Sequence, residues 1–294
     1  MERQLFKPRS KVFFAYLSLP VLWYLFVVVV PLVLAIRYSL YEWSGGPKMR
    51  FVGLSNYIQL IYDYDFWFSF KNNLIITLLC IIGQIGIAFI LAALMTTRVL
   101  KFKEFHRTVI FLPVVLSPVV IGFIWMLMYN QQIGILNWIL RAIGLGSLVR
   151  PWLDDPKLVI YSVSVPLIWQ YIGFYLVILM ASLQSIPKEI FEAAEIDGAD
   201  GFKRTIYVIL PLLSDTLKVS IMLCIAGNMK VFDHIYVMTG GGPGKSSMVM
   251  AQYAYNNSFI MFKLGYGATI SVGILVLSLA IILLSRRLMG GSEK

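Results

Sequence analysis

The chain alternates long apolar runs with short polar segments. A bilayer core of about 30 Å takes roughly 20 apolar residues in helical form. Four runs without a charged residue meet that length: Phe13 to Ile36, Leu74 to Met95, Val109 to Tyr129 and Leu158 to Leu183. Ala268 to Leu284 is shorter, but it extends back toward Leu264 and ends at Arg286 and Arg287, which suit a membrane interface. Leu212 to His234 is the least obvious run, because Asp215 and Lys218 lie near its start and Lys230 and Asp233 near its end. Each pair is spaced i,i+3 and can meet on one helical face in an end turn, where long side chains reach water. The pattern predicts an all-α membrane protein of six transmembrane helices.

The distribution of Lys and Arg then orients the spans. One side gathers Arg3, Lys7, Arg9 and Lys11; Arg98, Lys101, Lys103 and Arg107; Lys188, Lys203 and Arg204; and Arg286, Arg287 and Lys294. The opposite loops hold fewer, although they are longer in total: Arg37, Lys48, Arg50, Lys71, Arg141, Arg150, Lys157, Lys245 and Lys263. Both termini are therefore expected in the cytoplasm. Removing the span at Leu212 to His234 would place Arg286 and Arg287 outside, which argues for keeping it.

Composition agrees with this reading. Hydrophobic residues make up 59% and charged residues 14%, against about 45–50% and about 25% in soluble domains. The formal charge of +10 sits mainly in segments flanking apolar runs, where anionic lipid and insertion polarity account for it without nucleic acid. Cys80 and Cys224 both fall inside apolar runs, so the sequence offers neither a disulfide framework nor a CxxC metal site. The first run follows basic residues as a signal peptide does, but it is too long and lacks a small-residue cleavage site; it is expected to stay as an anchor.

One polar interruption is more structured than a connection needs. Pro187 suits an early helical position and Lys188 to Ile196 contains no breaker, so a short helix beginning near Ser185 is expected until Asp197-Gly198 turns the chain. Ala193 and Ala194 keep it slim, and Glu192 and Glu195 can meet basic groups on a partner. A second amphipathic stretch, Phe202 to Leu210, leads through Pro211 back toward the membrane. In isolation this is a solvated surface helix between two spans.

Its spacing is more specific. Glu192, Ala193, Ala194, Gly198, Leu210 and Pro211 resemble the EAA loop of binding-protein-dependent ABC importer permeases, with Val208 where that family has Ile. Gly53, Leu54, Asn56 and Tyr57 are similar to the GL-x-NY element of its carbohydrate-uptake subfamily. Phe232, Asp233, Ile235, Tyr236, Thr239, Gly241, Gly242 and Pro243 are similar to its FD-x-IY…T-x-GGP element, with Ser247 where the family often has Thr. The resemblance spans nearly the whole chain. It implies the type I ABC importer fold, as a single permease domain over residues 1–294 with a cytoplasmic coupling hairpin at residues 185–211.

The resemblance also implies partners: a second homologous permease, a cytoplasmic ATPase dimer, an extracytoplasmic solute-binding protein and a sugar substrate, in the inner membrane of a bacterium or archaeon. Glu192, Ala193, Ala194, Asp197 and Gly198 would couple to the ATPase. This chain itself would bind no cofactor, with ATP and Mg on the ATPase. No phosphate-binding G-x-x-x-x-G-K-S/T occurs, and Gly240 to Gly244 lacks that ending.

Polar and aromatic groups in the spans mark candidates for a substrate pathway, since each must find a partner or face water. They are Gln84, Trp125, Trp169, Gln170, Tyr171, Tyr175 and Asn228. Sugars are held by amide and hydroxyl hydrogen bonds and an aromatic face, which the residues from Trp169 to Tyr175 offer together. Interhelical hydrogen bonding and an interfacial aromatic belt are the alternative use of the same residues. Pro20, Pro31, Pro113, Pro118 and Pro166 lie in or near spans and can break helices locally.

Two other classes fit less well. A membrane enzyme would need a catalytic or metal constellation, yet the two histidines, His106 and His234, are expected on opposite sides and no H-E-x-x-H exists. An ion-coupled secondary transporter would carry an intramembrane carboxylate, whereas the carboxylates here fall in loops or end turns. The FD-x-IY element also occurs in relatives importing glycerol phosphates, so a phosphorylated polyol is the alternative substrate to a sugar.

Overall fold

The computed structural model describes residues 10–96, 100–199 and 201–290. Arg3, Lys7, Arg9, Arg98 and Lys294, which enter the count of Lys and Arg, lie outside the described residues. Among the described residues, four helices are long and apolar enough to cross a membrane: α1 (Val12–Tyr38), α3 (Tyr64–Thr96), α7 (Val159–Gln184) and α13 (Leu264–Met289). A short helix, α2 (Ser55–Tyr62), precedes α3. Two bent pairs bring the number of candidate spans up to six if each pair is one span. They are α4 (Lys103–Val115) with α5 (Pro118–Met128), bent by 98°, and α9 (Gly201–Leu212) with α10 (Ser214–Asn228), bent by 72°. The shorter helices α6 (Ile135–Ala142), α8 (Lys188–Ile196), α11 (Asp233–Thr239) and α12 (Met250–Tyr255) complete the set used below.

The prolines account for the local geometry. Proline cannot donate to the carbonyl four residues earlier and its ring crowds that carbonyl, which favours a widened turn. Two π-helical stretches contain such a carbonyl: Leu25–Val29 holds Val27 before Pro31, and Thr205–Ile209 holds Tyr207 before Pro211. Pro20, Pro113 and Pro166 lie inside helices that continue through them. Of the five prolines named in the spans, Pro118 alone stands at a break, following Leu116 and Ser117 in extended conformation. The uninterrupted run from Val109 to Tyr129 is therefore two helices, because Pro118 disfavours helical geometry at Ser117.

The run from Leu212 to His234 also needs correction. Helix α10 ends at Asn228, Lys230 lies in the gap after it, and Asp233 opens the next helix. Lys230 and Asp233 form no ion pair among the described residues, because they do not share a helix. At the other end the expected pairing holds: Lys218 Nζ lies 2.9 Å from Asp215 Oδ1.

The described chain forms two compact units. The first comprises Met1–Asp63 and Ala254–Gly273. It contains a small antiparallel hairpin, β1 (Tyr41–Trp43) with β2 (Met49–Phe51), absent from the all-helical expectation. Gly53 to Tyr57 has a structural task in this unit: Asn56 Nδ2 donates to the carbonyls of Ser39 (2.8 Å) and Tyr41 (3.0 Å), while the Tyr57 and Ser39 hydroxyls lie 2.7 Å apart. Asn56 thereby satisfies an orphan carbonyl at the end of α1.

The second unit comprises Tyr64–Tyr253 and Ile274–Lys294, and α7 is its central element, packed against α3 and α4. In lipid the hydrophobic effect does not drive helices together, so close packing of small residues and hydrogen bonds must do so. Ala88 and Ala92 of α3 are fully buried. Gly173 of α7 meets α4 closely: a Cβ there would lie 2.4 Å from the Ile110 carbonyl oxygen and 2.6 Å from the Phe111 Cα. Only glycine permits that approach.

Candidate functional site

The polar groups of the spans are organised by the breaks in the helices. Pro166 leaves the Ser162 carbonyl of α7 without its helical donor, and the Tyr129 hydroxyl supplies one at 3.0 Å. The break at Ser117 frees the Leu116 carbonyl, which accepts from Gln170 Nε2 at 3.0 Å. With its nitrogen so committed, Gln170 turns its Oε1 to His234 Nε2, 2.7 Å away. An amide oxygen only accepts, so the imidazole carries its proton on Nε2. Gln170 and His234 are both buried, and the pair ties α7 and α11 to the break between α4 and α5.

Beside this pair lies a cavity of about 370 Å³, within the range of small-molecule sites. Gln84, Tyr171, Tyr175 and Asn228 line it, together with Phe174, Lys230, Phe232, Asp233 and His234. Gln84 donates to the Leu167 carbonyl at 2.9 Å and accepts a long contact from Cys224 Sγ at 3.4 Å. Asn228 donates to the Cys224 carbonyl at 2.9 Å. The cavity thus combines amide and phenol groups with Phe174 and Phe232, the chemistry suited to a neutral polyhydroxylated ligand.

The structure brings four of the seven pathway candidates to this cavity and sets Gln170 behind His234. Trp125 and Trp169 are not among its lining residues. They form a separate aromatic group, with ring centroids 6.0 Å apart, that continues from Trp125 to Tyr129 at 5.3 Å and from Tyr129 to Trp152 at 6.1 Å. Sequence reasoning missed His234 and Phe232 as lining residues. The signal was available: both belong to the FD-x-IY element, singled out for its pattern rather than for its position.

The sequence beyond that element forms a tight loop pinned from α3. The Thr239 and Ser247 hydroxyls lie 2.8 Å apart, and Ser247 donates to the Gly242 carbonyl at 2.6 Å, so serine makes the contacts available at that position. Asn72 donates to the carbonyls of Ser246 (3.0 Å) and Met248 (2.9 Å). Its neighbour Asn73 donates to the carbonyls of Asn228 (2.9 Å) and Met229 (3.3 Å) and accepts from the Met250 amide at 2.9 Å. One buried side chain therefore caps the end of α10 and the start of α12. Lys245 adds an ion pair to Asp65 at 2.5 Å.

The other candidate element is α8. It starts at Lys188, with Pro187 as the residue before its first turn rather than within it, and only Ser185, Ile186 and Pro187 separate it from α7. Glu192, Ala193 and Asp197 are exposed, while Ala194 is buried and Phe191 packs against the core. Gly198 has φ +73°, a left-handed conformation that ends the helix and that side-chain-bearing residues adopt at a cost. Ile190, Ile196, Phe202 and Tyr207 expose large apolar surface around it, with Ile196 86% exposed. A polar surface helix flanked by such residues has the composition of a contact surface.

Among the described residues no group of three His, Cys, Asp or Glu side chains is placed to hold a metal ion. The "Probable ABC transporter permease protein YurN" of Bacillus subtilis is 35% identical over 270 residues, covering 91% of this chain and 92% of that protein. The trehalose/maltose transport system permease protein MalF of Thermococcus litoralis is 33% identical over 242 residues, 81% of this chain and 80% of that one. The fold matches a chain of a bacterial ABC transporter that imports alginate, with TM-score 0.83, 20% identity and 97% of both chains covered. It also matches a chain of the alginate transporter in complex with its pentasaccharide-bound periplasmic protein, with TM-score 0.80, 20% identity and 95% and 94% covered. Residues 84–290 match the family described as binding-protein-dependent transport system inner membrane component. The chain belongs to that family of multi-pass ABC transporter permeases.

Proposed function

We propose that the chain is the permease subunit of an ATP-driven importer that carries a sugar or oligosaccharide delivered by an extracytoplasmic binding protein. It works beside a second homologous permease and a cytoplasmic ATPase dimer, which holds the ATP and Mg. Both termini and α8 face the cytoplasm of a bacterium or archaeon, and residues 1–294 act as one permease domain crossing the inner membrane six times. The observation that carries this reading is the placement of α7, whose Tyr171 and Tyr175 line the cavity and whose end joins α8 through three residues. Relatives support the substrate class: one belongs to a trehalose/maltose transport system, and a structural neighbour is involved in the import of a polysaccharide.

The mechanism follows from stiffness. Closure of the ATPase moves α8 as a rigid body through Glu192, Ala193, Ala194, Asp197 and Gly198, and α7 passes the displacement to the cavity walls. Tyr171, Tyr175, Gln84 and Asn228 exchange hydrogen bonds with sugar hydroxyls, while Phe174 and Phe232 offer apolar faces. A phosphorylated polyol suits this cavity less. Its cationic lining residue, Lys230, is accompanied by the carboxylate of Asp233, and no arginine fork is present among the lining residues.

Glu192→Lys and Gly198→Val separate coupling from insertion. In proteoliposomes containing the full complex, both variants should reach the membrane normally and lose ATP-dependent uptake and ATPase association. Unchanged uptake in both refutes α8 as the coupling element. Uptake by the complete complex that an ion gradient drives without ATP refutes the ATP-driven reading.

A further inference from the structure

The start of α10 and the end of α13 enclose a second cleft of about 610 Å³ that the transport mechanism does not use. Lys218, Arg286 and Arg287 line it among the apolar Val219, Met222 and Leu283, with Asp215 as its carboxylate. That carboxylate is committed to Lys218 at 2.9 Å, and neither arginine has an ion-pair partner among the described residues. Cationic charge therefore exceeds anionic charge around the cleft. The apolar residues belong to the same two helices as the cations, and Val219 and Leu283 are 49% and 57% exposed.

A soluble anion would need only the cations. A phospholipid needs both parts: an anionic phosphate for the guanidinium groups, which match phosphate oxygens with paired donors, and an apolar wall for an acyl chain. The charged groups lie at the ends of apolar spans, where a phosphate headgroup sits. We propose that this cleft holds the headgroup of an anionic phospholipid, with its chain along Val219, Met222 and Leu283. The site clamps α10 to α13 through the lipid. The inference uses membrane insertion of α10 and α13 and is independent of the sugar assignment.

The test uses the assembled importer, purified and placed in phosphatidylcholine nanodiscs with a small fraction of phosphatidylglycerol. Retained phosphatidylglycerol is measured by native mass spectrometry. The parent complex should retain it, and Arg286→Gln/Arg287→Gln should weaken retention by about thirtyfold, given the contribution of each basic residue at an anionic surface. Arg286→Lys/Arg287→Lys preserves charge and should keep most of the retention, which controls for assembly of the Gln variant. Lys103→Gln/Arg107→Gln removes equal charge elsewhere and should leave retention unchanged. Absent retention by the parent, equal retention by the Gln variant, or equal loss in the Lys103/Arg107 control overturns the proposal. Displacement by millimolar inorganic phosphate also overturns it, by identifying a soluble anion as the ligand.

Discussion

Replacing Gln170 by Leu isolates the polar link at the break between α4 and α5. Leucine nearly conserves volume, so the main loss is two hydrogen bonds, to the Leu116 carbonyl at 3.0 Å and to His234 at 2.7 Å. His234 stays buried and loses its acceptor, while the half-buried Leu116 loses its donor. An orphaned polar group costs about 1–3 kcal/mol in a protein interior, whereas hydrogen bonds between membrane helices average about 0.6 kcal/mol in double-mutant cycles. The first figure governs for the imidazole N–H, because Gln170 is 1% exposed and His234 2%, and the second applies to the half-buried Leu116 carbonyl. The expected total is about 2–4 kcal/mol, or a melting temperature lower by about 5–10 °C.

The cycle is completed with His234→Leu. In Gln170→Leu/His234→Leu the orphaned imidazole N–H is gone, so the double variant should be more stable than the sum of the singles by about 0.6–1.7 kcal/mol. Thermal unfolding of the detergent-solubilised complex, followed by tryptophan fluorescence, measures all four forms. Additivity within about 0.3 kcal/mol would show that the two side chains do not interact and would refute the network.

Gly173→Ala should destabilise the protein by at least about 3 kcal/mol, since its methyl group would meet backbone atoms of α4, whereas Gly86→Ala, with no atom within 4 Å of its Cβ, should leave melting unchanged. Asn73→Leu leaves the Met250 amide and the carbonyls ending α10 without their side-chain partner and should cost about 3–5 kcal/mol in the same melt. Tyr171→Ala combined with Asn228→Ala should raise the apparent KM for uptake while leaving ATPase association intact; an unchanged KM would remove the cavity from the pathway.

Hydropathy made the long spans legible because membrane helices must be apolar over a fixed length; α1, α3 and α13 contain the run expected of them and α7 all of its run but Leu158. The break at Leu116 was hidden in an apolar run, with Ser117-Pro118 its only mark. Asn72 and Asn73 went unnoticed because they precede the run from Leu74, although α3 starts before them, at Tyr64. For the cavity, residue type alone could not separate neighbours such as Trp169 and Gln170. Adjacent residues point about 100° apart on a helix, so Gln170 reaches His234 while Trp169 meets Trp125. The part played by Phe232 and His234 depends on α10 ending at Asn228, which charge spacing around Lys230 and Asp233 does not reveal.

The contact at Gly173 gives α7 a fulcrum. Below it, roughly 16 Å of helix run to Gln184 and the short joint with α8; above it, about 21 Å run to Val159. A rigid rod held at that point converts a sideways push at Gln184 into an opposite swing at Val159, enlarged about 1.3-fold by the ratio of its arms. Tyr171 and Tyr175 lie on either side of the fulcrum, within a turn of it, so they would rotate far more than they translate. The cavity would then change the direction its hydroxyls face before it changes much in width, and a bound ligand would be released by losing its hydrogen bonds rather than by being squeezed out.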